Sequence, residues 1–123
     1  MNHPHVEVVM IGGRLFKHSM VSVGAATIQA IADIRADFYF MGVTGIHADA
    51  GLSTGDLEEA LVKRAFAARA AEVVVLASRE KINAASPFVI GPATMATTVV
   101  VERDTPASAT NELAALGIGI VRT

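Results

Sequence analysis

Three segments of the chain concentrate the hydroxyls, amides and cations that engage a small anion or a sugar. Gly12-Gly13-Arg14 offers two glycines whose amides can approach a phosphate closely, followed by a guanidinium suited to grip it. The same pair also reads as a plain strand stop, and the segment lacks the longer glycine signatures of dinucleotide and nucleotide-phosphate loops. Residues 42–55 are richer: Thr44, Gly45, Asp49, Gly51, Ser53 and Thr54 lead into Asp56, at the start of a helix. Hydroxyls and free amides at a helix start favour an anion, whereas the carboxylates of Asp49 and Asp56 suit the hydroxyls of a sugar. Asp56 has a second reading as an N-cap, with Glu59 three residues later completing a capping box. Glu59 and Lys63 lie four residues apart on one helical face, where they also read as an ion pair worth roughly a few tenths of a kcal/mol. Ser78-Arg79-Glu80-Lys81 is a charge cluster at a strand end, from which Lys81 can reach a ligand phosphate.

Other chemistries find less support. There is no cysteine, which removes disulfides, thiolate metal sites and cysteine nucleophiles together and fits a reducing cytosol. His3 and His5 flank a proline near the terminus, and His18 and His47 are isolated, so no metal site is expected. A free amino terminus followed by Asn2 and His3 can wrap Cu(II) or Ni(II), but that needs no folded protein. No Ser-His-Asp order or nucleophile elbow is present, and the carboxylates have no spacing that marks an acid/base pair. No catalytic residue and no cofactor is expected.

The elements that must position these segments follow from hydrophobic patterning. Residues 6–11, Val-Glu-Val-Val-Met-Ile, form a β-branched run closed by two glycines and read as a buried strand of a parallel sheet. Residues 24–34 carry Ile28, Ile31 and Ile34 at near-helical spacing in an Ala-rich stretch. Residues 38–43 read as a second core strand. Residues 56–71 are the clearest helix, with Leu57, Leu61, Ala65 and Ala68 stacked along one face. Residues 72–77 form a third core strand, and residues 88–90 and 97–101 short strands around a Gly91-Pro92 turn. Thr105-Pro106 opens a last helix to about residue 116, ended by Gly117, before a strand over residues 118–121. Strand and helix alternate throughout. That predicts an α/β, Rossmann-like, mostly parallel sheet with helices on both faces. Ligands bind such a sheet outside the carboxyl ends of its strands, where all three segments above lie.

The bulk numbers agree with one globular domain over residues 1–123. Apolar residues make up 52% of the chain and charged residues 18%, which excludes a disordered chain, and the formal charge of −2 excludes a basic nucleic-acid-binding surface. No apolar run reaches the roughly 18 residues of a membrane span. A strand buried as deeply as residues 6–11 needs neighbours on both edges. The sequence therefore predicts that the beginning of the domain lies outside this chain or is supplied by another, and that the chain self-associates.

In this order, the strings VEVVMIGGRL, ADFYFMGVTGI, GLSTGDLEEALVKRA and VVVLASREK resemble the carboxy-terminal sensor domain of DeoR-family transcription regulators. That family shows a strand ending in Gly-Gly, an Ala-Asp-x-x-Phe-x-Gly strand, a Gly-Leu-Thr-Thr loop, a Glu-Ala-x-x-Lys helix and a strand leading into Asp-Ser-Ser-Lys. The matching residues are Gly12-Gly13, Ala36-Asp37 with Phe40 and Gly42, residues 51–54, Glu59-Ala60 with Lys63, and residues 78–81. The resemblance implies a fold related to ribose-5-phosphate isomerases and glucosamine-6-phosphate deaminases. It implies a repressor that responds to a phosphorylated sugar in the cytoplasm and binds DNA through an amino-terminal helix-turn-helix that this chain lacks. The pocket candidates are Gly12, Gly13, Arg14, Thr44, Gly45, Asp56, Glu59, Lys63 and Lys81. The sequence departs from the family at Ser78-Arg79-Glu80, where a hydroxyl replaces the carboxylate and two charges replace small residues. It also lacks the family's early Gly-Ser-Thr-Thr-like loop. Two other readings stand beside the sensor: a sugar-phosphate isomerase or deaminase, and an oligomerisation fragment without a binding function.

Overall fold

A computed structural model describes residues 6–9, 11, 14–16 and 21–123, with side chains in all of these except 14–16 and 21–23. The elements run β1 (Arg14–Phe16), β2 (Val21–Val23), α1 (Ala25–Ile31), β3 (Ala36–Gly42), β4 (Gly45–His47), β5 (Gly51–Thr54), α2 (Leu57–Arg69), β6 (Ala70–Ala77), β7 (Phe88–Gly91), β8 (Thr98–Val101), α3 (Ala107–Ala115) and β9 (Gly119–Arg122). The expected class is present: an α/β fold with a parallel four-stranded sheet flanked by helices, with α2 and α3 on one face of the sheet rather than on both.

The strands with the longest β-branched and aromatic runs pair in the order β3-β6-β8-β9, every pair parallel. Because this order advances in one direction and parallel crossovers are right-handed, the intervening elements fall on one face. Burial agrees. Ala60 of α2 and Leu113 of α3 share one core with Met41, Val73, Val75, Val99 and Val101 of the sheet. Alternation sends Phe38, Phe40, Leu76 and Val121 to the opposite face, where they are exposed, with the Phe38 and Phe40 rings stacked at 6.2 Å between centroids. A second, antiparallel sheet of order β4-β5-β7 roofs the core with the fully buried Ile46, Leu52 and Ile90. Gly51 has φ +82°, and a Cβ there would collide with the Gly91 carbonyl, so the hairpin between β4 and β5 requires glycine at this position.

Two expectations are corrected, and a third finding was left open by the sequence. Residues 6–9 form no strand, and Val6, Val8 and Val9 are exposed. A buried parallel strand needs a ladder partner, and no described strand pairs with them. Met10, Gly12 and Gly13 lie outside the described residues, while Ile11 packs on a small cluster of Ile31 and Val62 between α1 and α2. Residues 42–55 are a β-hairpin rather than an irregular loop. The apolar stripe of α2 does not face the core. Leu57, Leu61 and Ala68 are exposed and Ala65 half-buried, while Glu59, Ala60 and Val62 are buried. The helix is held on two sides, by the core at Ala60 and by α1 at Val62, and that clamp fixes which arc turns inward.

Candidate functional site

The carboxyl ends of β3, β6, β8 and β9 open on one edge of the molecule, and two cations converge there. Lys63 reaches back from α2, and its Nζ donates to the Gly42 carbonyl at the end of β3 at 2.5 Å. Burial holds the Lys63 amine below its ordinary value; Glu59 opposes that shift and Lys81 adds to it. Glu59 is buried on the same side of the helix. Glu59, Lys63 and Lys81 are therefore one electrostatic cluster, assembled from α2 and the loop after β6.

The extra charged groups of the loop after β6 have partners of their own. Arg79 pairs with Asp104 at 2.6 Å, and its amide donates to a Glu102 carboxylate oxygen at 3.4 Å. Ser78 Oγ donates to Glu80 Oε1 at 2.6 Å. Lys81 is half-buried, and among the described residues its ammonium makes no hydrogen bond or ion pair, so that ammonium is the uncommitted charge of the cluster. It borders a cavity of about 290 Å³ that Ser78 and Glu102 also line and that is floored by Leu76 and Val100. A larger cavity of about 380 Å³ lies at the amino ends of β3 and β6, beside Arg35, Asp37 and Arg69. Carboxyl ends are where open parallel sheets take their ligands, so the smaller cavity is the relevant one.

Each residue singled out in the sequence has a definite place or none. Lys63, Glu59 and Lys81 come together. Asp56 caps α2, its Oδ2 accepting from the Glu59 amide at 3.0 Å, which commits one carboxylate oxygen to the helix. Thr44 follows Gly42 by two residues. Its Oγ1 lies 2.5 Å from Ser86 Oγ, and its amide donates to the Ser53 carbonyl at 3.0 Å. Gly45 is buried where a Cβ would strike the Ala84 carbonyl, so it acts as a joint. Gly12 and Gly13 lie outside the described residues, and Arg14 is in β1, where side chains are not described. Sequence reasoning passed over Tyr39, whose inward position in β3 was available from period-two alternation. Burial, and Glu59 in second place, push its phenol well above the ordinary value. It also passed over the Gly42 carbonyl, which no side-chain pattern could reveal. Among the described residues no group of three or more His, Cys, Asp or Glu residues is placed to hold a metal. No described helix is long and apolar enough to cross a membrane.

Comparison with known families decides where this architecture belongs. The sequence matches the DeoR C-terminal sensor domain over residues 1–103 of its 123. The chain belongs to that family. Among similar proteins, the HTH-type transcriptional repressor CsqR of Escherichia coli K12 is 29% identical over 112 residues, covering 91% of this chain and 43% of its own length. The HTH-type transcriptional regulator FruR of Bacillus subtilis is 33% identical over 76% of this chain and 38% of its own length. The glycerol-3-phosphate regulon repressor of Escherichia coli K12 is 27% identical over 82% of this chain and 40% of its own length. This sensor domain thus spans less than half the length of the curated relatives it matches.

Proposed function

We propose that this sensor domain binds a phosphorylated sugar at the carboxyl ends of β3 and β6. It belongs to a cytoplasmic, non-enzymatic repressor that reads DNA through a separate helix-turn-helix. The observation that carries the reading is Lys63. A half-buried ammonium held against a backbone carbonyl, beside a second cation and a buried carboxylate, is poorly compensated for its lost hydration. A phosphate between Lys63 and Lys81 relieves their mutual repulsion, and Glu59 accepts from a ligand hydroxyl. One relative is named for a glycerol-3-phosphate regulon, and glycerol 3-phosphate is a small phosphorylated polyol. Such a ligand changes DNA affinity only to the extent that it binds two arrangements of the repressor unequally.

The test is a thermal-shift series with sugar phosphates, each paired with its unphosphorylated sugar. A ligand specific for the folded state adds about 2.7 kcal/mol at a hundredfold excess over its dissociation constant. The phosphate forms alone should stabilise, and Lys63→Met and Lys81→Met should each abolish the shift. Equal shifts from the bare sugars, or turnover of a sugar phosphate by the chain, would overturn the reading.

A further inference from the structure

The edge of the sheet opposite the effector site has a concavity with charges of its own. α2 passes into β6 at Ala70 without a loop, and Ala70 lies in register with Ala36 at the start of β3. A helix end and two strand starts therefore meet in one corner. The residues there are small, and Ala36, Ala68 and Ala71 border about 380 Å³ that no side chain fills. Small-molecule sites begin at about 300 Å³. Three charged residues border the same space: Arg35, Asp37 and Arg69. Arg69 is half-buried and held in place, its Nε donating to the Ile34 carbonyl at 2.7 Å. That bond leaves the two terminal nitrogens of its guanidinium without a partner among the described residues. Arg35 and Asp37 are exposed, and among the described residues their side chains make no hydrogen bond or ion pair, with each other or with Arg69. Two guanidiniums and a carboxylate thus converge on one cavity uncommitted.

We propose that this cavity binds a free α-amino acid as its zwitterion. The mixture of charges selects that class. A bare anion held by the two arginines would face the Asp37 carboxylate and the carboxyl end of α2, whose last carbonyls add partial negative charge. A bare cation beside Asp37 would face two guanidiniums. A small ligand that carries both signs satisfies every group at once. Its carboxylate takes N–H bonds from Arg35 and Arg69 in the planar geometry that guanidinium favours, and its ammonium donates to Asp37. The alanine methyls of the walls leave room for a short apolar side chain. The site stands independently of the effector reading, because it shares no residue with the cluster of Glu59, Lys63 and Lys81 at the other ends of the strands.

An NMR titration of the isotope-labelled chain tests this, with L-alanine and L-serine as probes and propionate and ethylamine as the single-charge halves of L-alanine. The two amino acids should shift the amides of residues 35–37 and 68–71 saturably, with a Kd of about 1 mM or tighter. Propionate and ethylamine should each bind about tenfold more weakly or not at all. Arg35→Gln and Asp37→Asn should each weaken L-alanine about tenfold, since each removes a hydrogen bond to a charged group, while the amide spectrum stays that of the folded chain. Arg103→Gln, past the carboxyl end of β8, should leave binding unchanged. The absence of a saturable shift from both amino acids would overturn the proposal. So would propionate binding as tightly as L-alanine, which would reduce the cavity to a plain anion site, or binding that survives both Arg35→Gln and Asp37→Asn.

Discussion

Replacing Lys63 with methionine removes an ammonium while keeping an unbranched side chain, so the contributions of the amine can be weighed against each other. One is its bond to the Gly42 carbonyl. A hydrogen bond of this kind is worth about 0.5–1.5 kcal/mol, and its loss falls at the low end because Gly42 is exposed and water replaces the donor. Against it stands the cost of holding an ammonium half-buried, which is of comparable size and which methionine removes. Lys63→Met should therefore lie within about 1 kcal/mol of wild type at pH 7, whereas truncating a fully buried core residue such as Leu52 to alanine costs about 2.7–5 kcal/mol. The pH dependence has a definite sign. A lysine whose folded value lies below its unfolded one binds fewer protons when folded, so its penalty is complete at low pH. That penalty is relieved as pH rises from the depressed value towards the ordinary 10.5. Urea unfolding of both proteins at pH 7 and about pH 10 should show wild type gaining on Lys63→Met. A loss of more than about 2 kcal/mol at pH 7, or a difference that moves against wild type as pH rises, would make Lys63 a structural strut and refute the reasoning.

Asp56→Ala removes the acceptor for the Glu59 amide and should cost about 1 kcal/mol in a denaturant titration, with Asp56→Asn recovering most of it. Gly51→Ala forces a side chain into a positive-φ position against the Gly91 carbonyl. It should cost about 2–3 kcal/mol, visible as a drop in Tm; a drop of under one degree would show that the hairpin can shift to admit a Cβ.

The sheet was legible because its strands are short runs of β-branched and aromatic residues. Residues 38–43 and 72–77 were expected as core strands, and β3 and β6 contain nearly all of them. The start of β6 was not legible, because α2 passes into it at Ala70 with no intervening loop. The hairpin of β4 and β5 was read as a loop, since three- and four-residue strands of Gly, Ser and Thr carry no periodic signal. The stripe of α2 left its own orientation open. A helical pattern says that an apolar face exists, and tertiary packing decides which face is buried. Burial of Val6 and its neighbours was expected from a β-branched run closed by glycines, but burial needs a ladder partner that a local pattern does not supply. At the site, the grouping of Lys63 with Gly42 joins residues 21 apart through the crossover, so only the fold displays it. The partners of the charged loop were equally hidden: Arg79 pairs with Asp104, 25 residues on, and Glu80 accepts from Ser78.

Each ladder of the four-stranded sheet joins segments far apart along the chain: Ala36 faces Ala70, Val74 faces Thr98 and Thr98 faces Gly119. The pairing of β4 with β5 closes across a three-residue turn, with His47 facing Gly51 and its Nδ1 accepting from the amides of Asp49 and Ala50 at 3.0 Å. Ordering a long segment before its ends can meet carries an entropic cost that grows with length, and chains rich in distant contacts fold slowly. The topology therefore imposes a sequence in time. Helix and hairpin form on the microsecond scale, and the parallel sheet is assembled afterwards. Lys63 on α2 and Lys81 after β6 therefore meet at the end of β3 only once β3 has paired with β6.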